Sequence, residues 1–211
     1  MESELIDYYR RRAGQYESIY AKPERQADLA FLKKALIERL AGARVLEVAC
    51  GTGYWTQPIA RVAAAVTATD FAEEPMRIAQ AKAYERSNVV FRTADAYALP
   101  ESLGTFDAAF AGFWWSHVPR ERIGEFVASL HARLAPGARV VILDNRFVAG
   151  NSTPVVEVDA AGNTYQLRVL ADGSRFRVLK NYPTAQELRD LLGPTLAHQE
   201  LDYYWLAEYR R

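Results

Sequence analysis

One cysteine, Cys50, stands in 211 residues, so no disulfide can form within the chain. The three histidines, His117, His131 and His198, show no paired ligand spacing, and no metal is expected. Neither sign of charge is in excess: 26 basic residues face 26 acidic ones. The chain therefore lacks the overall field that draws a protein onto nucleic acid or an anionic membrane, and its neutrality favours a small or weakly charged partner. No apolar run nears the roughly 20 residues that span a bilayer, and the stretch from Glu2 to Arg12 is polar where a secretory leader would be apolar. Repeats, low-complexity tracts and linkers are also missing. These absences point to a soluble cytoplasmic protein with no nucleic acid and no membrane among its partners; either a monomer or a homodimer is expected, the sequence leaving the oligomeric state open. The length suits one domain with a full core.

What the chain does contain is an alternation of apolar runs with helical patterns. Residues 3–15 read as a short amphipathic helix, with Arg10-Arg11-Arg12 on a solvated face, and Pro23 opens a helix that runs to Leu40 and is capped at Gly42. Strands are expected over 44–49, 66–69, 89–93, 106–113 and 139–143. Helices are expected over 54–65, 73–84 and from Pro119 to Leu134, with Pro136-Gly137 as a turn into the fifth strand. This is the pattern of a parallel sheet covered on both faces. Three further β-like runs, 155–159, 165–170 and 175–180, are separated by Gly162-Asn163 and Asp172-Gly173, the chemistry of hairpin turns. Thr184 and Glu187 form a capping-box pattern for a helix to Leu192, and the aromatic stretch 196–209 supplies the last strands, with Tyr203-Tyr204-Trp205 as sheet packing.

The chemistry is concentrated after the first strand. Val45-Leu46-Glu47-Val48-Ala49-Cys50-Gly51-Thr52-Gly53 is a buried strand ending in a Gly-x-Gly turn, where the backbone can take φ above zero and a ligand can approach it closely. Asp70 ends the second strand, placed to accept hydrogen bonds from ribose hydroxyls. Dinucleotides and S-adenosylmethionine share these features. The third small residue of a dinucleotide loop is replaced here by Thr56, behind Tyr54 and Trp55, which crowds a pyrophosphate.

With Met76, Ala94-Asp95-Ala96, Phe106-Asp107-Ala108-Ala109-Phe110 and Leu134-Ala135-Pro136-Gly137-Ala138-Arg139-Val140-Val141 following in order, the chain resembles the class I S-adenosylmethionine-dependent methyltransferases, especially the ubiquinone and menaquinone type. The resemblance covers most of 45–148 and implies an α/β, doubly wound, mostly parallel seven-stranded sheet of Rossmann-like methyltransferase type. Within one methyltransferase domain over 1–211, it suggests an N-terminal helical lid (1–40), a cofactor-binding core (44–148), an antiparallel β excursion after the fifth strand (150–182) and a C-terminal helix with the last strands (184–211).

By the same resemblance, Glu47 and the backbone around Ala49, Cys50, Gly51 and Gly53 hold the amino-acid end of S-adenosylmethionine. Asp70 binds its ribose, Phe71 and Met76 border the adenine, and Asp95 with the Ala96 amide reads the adenine edge. Phe113 and Trp114 form the wall nearest the methyl group, and Tyr8, Tyr9 and Tyr16 are lid candidates. Ala49 departs from the family's usual glycine. The implied reaction moves a methyl group to a small-molecule O, N or S acceptor and releases S-adenosylhomocysteine. Protein or RNA methylation, non-catalytic S-adenosylmethionine binding and a nicotinamide-dependent reaction are the alternatives.

On the acceptor side, His117 follows a strand's C-terminus, where doubly wound folds place their cleft, and is the candidate general base. Trp114 and Trp115 offer aromatic faces for alignment and Arg146 a partner for an acceptor anion. Lys180, Asn181 and Tyr182 either face the acceptor or end a hairpin. Cys50 reads as a small buried filler.

Overall fold

The computed structural model describes residue 8 and residues 10–211. A 3-10 helix (Ala13–Ala21) and a 3-10 turn (Pro23–Arg25) lead into helix α1 (Gln26–Leu40), whose Leu29, Leu32, Leu36 and Leu40 recur at three- and four-residue steps and are all buried. Strand β1 (Arg44–Val48) is buried at every position but its first and pairs in parallel with β2 (Ala65–Asp70) on one side and β4 (Phe106–Gly112) on the other. Helices α2 (Thr56–Val62) and α3 (Glu73–Gln80) and strand β3 (Val89–Thr93) alternate with them, followed by α4 (Ile123–His131) and β5 (Leu134–Asn145). The seven-stranded sheet has the order β3-β2-β1-β4-β5-β10-β9, where β9 is Ala197–Glu200 and β10 is Tyr204–Arg210. Only the pairings of β10 are antiparallel. One apolar core, around Leu32, Leu36 and Ile59, covers one face, and a second, around Trp115, Phe126 and Leu130, covers the other.

The excursion after β5 is a separate antiparallel sheet of β6 (Val155–Val158), β7 (Thr164–Val169) and β8 (Arg175–Leu179). Helix α5 (Ala185–Leu192) carries the full capping box, with Thr184 and Glu187 exchanging side-chain and backbone bonds. Among the described residues, no helix is long and apolar enough to cross a membrane.

Several boundaries differ from the sequence reading. The N-terminal helix does not run on to residue 15, because the chain tightens into 3-10 geometry from Ala13. The helix expected from Pro119 opens instead as a 3-10 turn (Arg120–Arg122) before α4 and ends at His131, and a further 3-10 turn (Trp115–His117) precedes Pro119. The Pro136-Gly137 turn lies inside β5. Gly137 takes φ +75°, and the register slips between Phe106, opposite Leu134, and Ala108, opposite Arg139, so the extra residues form an irregularity in a continuous strand.

Candidate active site

The sheet order reverses between β1 and β4, and ligands of open α/β sheets lie in the crevice beyond the strand ends at such a point. Past β1 the backbone takes left-handed values at Ala49 (φ 55°), Gly51 (54°) and Gly53 (77°). For alanine this conformation is strained. At Gly53 a side chain is excluded, since a Cβ would stand 2.8 Å from the Cβ of Ala79 on α3, whereas a Cβ at Gly51 would meet nothing within 4 Å. The Gly51 amide donates to Asp70 Oδ2 (2.7 Å) and the Ala72 amide to Oδ1 (2.8 Å), so Asp70 ties the glycine loop to the end of β2. Burial raises the Asp70 pKa, and these amide bonds oppose the rise.

A chamber of about 240 Å³ opens beyond these strands. Of the residues assigned to the cofactor from sequence, Tyr16, Glu47, Ala49, Cys50, Gly51, Asp70, Phe71, Asp95, Ala96 and Phe113 line it. Gly53 and Met76 lie buried behind the wall, Gly53 against α3 and Met76 in the core; Tyr9 lies outside the described residues. Glu47 is 2 % exposed, and burial pushes its pKa up to about 8. Its Oε2 is buried with no hydrogen-bond partner, a vacancy that a cationic amine would fill. Burial also holds the Cys50 thiol protonated, in keeping with a filler role.

The 3-10 helix Ala13–Ala21 straps the chamber. Glu17 accepts from the Thr52 hydroxyl (2.7 Å) and pairs with Lys82 of the loop after α3. Tyr20 stacks on Tyr54 with ring centroids 3.8 Å apart and planes 13° from parallel, and it meets Trp55 edge-on. Glu17, Tyr20 and Tyr54 were missed from sequence. Only the aromatic content of the segment hinted at them.

Tyr16, Phe113 and His117 also line a second chamber of about 190 Å³, so the two spaces meet at these three residues. Phe113 is itself left-handed (φ 59°), a strained position at the junction. His117, in the 3-10 turn after β4, has Nδ1 2.7 Å from the Leu179 carbonyl oxygen. A carbonyl only accepts, so Nδ1 carries the proton and Nε2 the lone pair. Burial, with the Lys180 charge beside it, holds the His117 pKa well below its usual value, and the imidazole is neutral.

Beneath it, Lys180 Nζ donates to Ser116 Oγ (2.6 Å) and to Asp144 Oδ1 (3.2 Å), while the Ser116 amide donates to Asp144 Oδ2 (2.9 Å). Lys180 and Tyr182 line the second chamber, whereas Asn181 is buried in bonds to Val118 and Asn163. Of the acceptor-side residues expected from sequence, Trp114 lines the first chamber and packs edge-on against Tyr97. Trp115 is 2 % exposed, packs against Phe126 and reaches neither chamber. Arg146 also lines neither; its guanidinium donates to the Leu201 carbonyl (2.5 Å) and pairs with Glu200 at 3.3 Å. Arg12, read from sequence as solvated, lines the second chamber instead. Among the described residues, no group of acidic, histidine or cysteine side chains is arranged to hold a metal ion.

A glycine loop, an acid closing β2 and an orphaned buried carboxylate under one chamber at the β1/β4 switch define the class I methyltransferase fold. A methyltransferase-domain family model matches residues 45–137. The solved DhpI–SAH complex is 30% identical with a TM-score of 0.80, covering 99% of this chain and 95% of that one. The ubiquinone biosynthesis O-methyltransferase of Xanthomonas oryzae pv. oryzae is 34% identical over 138 residues, 64% of this chain and 55% of that protein. The demethylmenaquinone methyltransferase of Lactococcus lactis is 32% identical over 110 residues, 50% of this chain and 43% of that protein. The chain belongs to the S-adenosylmethionine-dependent methyltransferases. It spans about half the length of the curated relatives it matches.

Proposed function

We propose that this chain transfers a methyl group from S-adenosylmethionine to a small-molecule acceptor held in the second chamber. The observation that carries the reading is the meeting of two chambers at Tyr16, Phe113 and His117, a larger one on the glycine-loop side and a smaller one on the other. When bound, S-adenosylmethionine supplies an electrophilic methyl group on a sulfonium, whose C–S bond breaks with the electron pair left on sulfur, giving S-adenosylhomocysteine.

The chain's residues bind, orient and keep water out. Glu47 and the amides of residues 49–53 hold the amino-acid end, with the Glu47 carboxylate meeting the ammonium. Asp70 holds the ribose, Phe71 and Asp95 with the Ala96 amide border the adenine, and Tyr20 on Tyr54 covers the entrance. Phe113 and Tyr16 line up the acceptor atom with the methyl carbon. As the new bond to carbon forms, His117 Nε2 takes the proton of a neutral acceptor. We place the reaction in the cytoplasm, in keeping with the free, buried Cys50.

The experiment is incubation of the chain with methyl-labelled S-adenosylmethionine and a cell extract, then separation into small molecules, protein and RNA. Label in the small-molecule fraction is expected. Label confined to protein or RNA overturns the small-molecule reading.

A further inference from the structure

The second chamber is lined by Arg12, Lys22, Arg25, Arg168 and Lys180, and among the described residues no aspartate or glutamate lines it. For a chain of zero net charge, five cations around about 190 Å³ is a strong local concentration of one sign. Among the described residues, only Lys180 is closely matched, by Asp144 beneath the floor; Lys22 reaches Glu24 at 4.0 Å. The three guanidiniums are oriented by neutral acceptors. Arg12 donates to the Tyr8 hydroxyl (2.8 Å), Arg25 to Asn151 Oδ1 (2.7 Å) and Arg168 to Gln166 Oε1 (2.6 Å). Gln166 is fixed in turn by donating to the Tyr182 hydroxyl (2.8 Å) and the Thr153 carbonyl (2.6 Å). Arg25 Nε is buried with no hydrogen-bond partner.

Such bonds aim the guanidinium forks; Arg12 lies over the Tyr8 and Tyr16 rings and Arg25 over those of Tyr203 and Tyr204, but among the described residues no carboxylate pairs with any of the three. The chamber's cations act on Lys180: its pKa is depressed first by burial, and the charges of Arg168 and Arg12 push it down further. An uncharged acceptor would leave this arrangement desolvated and uncompensated, whereas an oxyanion would receive several charge-assisted bonds at once.

We infer that the methyl acceptor is a small molecule bearing an oxyanionic group, of the carboxylate or phosphate type, held in this chamber by Arg12, Arg25, Arg168 and Lys180. The inference rests on the methyl-transfer reading and adds the acceptor's charge class. Arg12 and Arg25 come from the N-terminal segment, and Arg168 and Lys180 from β7 and the end of β8, so the anion ties the strap to the three-stranded sheet.

The test uses the chain loaded with S-adenosylhomocysteine and titrates it calorimetrically with inorganic phosphate and, separately, with acetate. Saturable binding of either is expected, tighter for phosphate if the natural group is dianionic and comparable for acetate if it is a carboxylate. Losing one charged hydrogen-bonding partner should weaken binding by roughly 10- to 100-fold in Arg168→Gln and, independently, in Arg25→Gln. Arg175→Gln, which removes an exposed charge from the same sheet outside the chamber, should leave it unchanged. Binding of S-adenosylhomocysteine without either anion, or anion binding that both chamber variants retain, overturns the inference and leaves methyl transfer standing. Failure to bind S-adenosylhomocysteine removes the methyl-transfer reading itself and this inference with it.

Discussion

The Thr52 hydroxyl donates to Glu17 across 2.7 Å, joining the glycine loop to a segment 35 residues earlier in the chain. Because Glu17 also holds Lys82, one carboxylate links the strap, the glycine loop and the turn after α3.

Glu17→Ala should therefore loosen the strap while sparing the sheet. Glu17 is part-exposed, so the expected effect is modest: S-adenosylhomocysteine should dissociate several-fold to about tenfold faster, with little change in melting temperature. Stopped-flow displacement measures this directly. An unchanged dissociation rate would show that the strap does not restrain the ligand.

Glu47 sets a pH dependence. Its pKa of about 8 in the ligand-free fold lies above the ordinary 4.5, so between those values the folded chain holds a proton that the unfolded chain has released. Its contribution to stability is present below pH 4.5 and lost as pH rises towards 8, by at most about 1.4 kcal/mol per pH unit. Denaturant titrations should show this fall in the native chain and a flatter profile in Glu47→Gln. Affinity for S-adenosylhomocysteine should rise over the same range, because its ammonium favours the carboxylate. Identical stability profiles for the two proteins would falsify this account of Glu47.

His117 titrates in the opposite sense. Its folded pKa is held below the ordinary 6.5, so below that pH the unfolded chain takes up a proton that the fold refuses, and stability is lost on acidification. By NMR the imidazole of the free protein should stay neutral from pH 8 down past 6. With an acceptor whose reacting atom carries a proton, His117→Gln should lower kcat by about a hundredfold or more with a smaller effect on KM. An imidazole titrating near 6.5, or an unaltered kcat, would contradict the role given to it.

The parallel core was legible because its signals are local. The run 45–48, the glycine turn and Asp70 each declare a buried strand, a left-handed bend and a strand end within a few residues. The Thr184–Glu187 capping box was legible for the same reason. The second chamber was not, since Arg12, Arg25, Arg168 and Lys180 are scattered along the chain and meet only after the N-terminal segment folds against the small sheet. Net neutrality concealed them, and the expectation of a weakly charged partner followed from averaging over the whole chain. Arg146 seemed the better anion partner by its place after β5, but Glu200 and the Leu201 carbonyl take up its guanidinium. Trp115 is adjacent to a lining residue, yet one step along a 3-10 turn carries its ring into the core.

Strand β10 lies between β5 and β9 and joins both in antiparallel register. During synthesis, β5 leaves the ribosome almost sixty residues before its partner, with Val140 to Leu143 along an edge that nothing covers. An unpaired apolar edge of that length is a template for the wrong strand, whether from this chain or from a neighbour. Until Tyr204 to Arg210 slot into place, the residues that line the cofactor crevice have all emerged but the sheet beside them still ends at an open β5, which makes the interval before the last strand emerges a period when a chaperone matters.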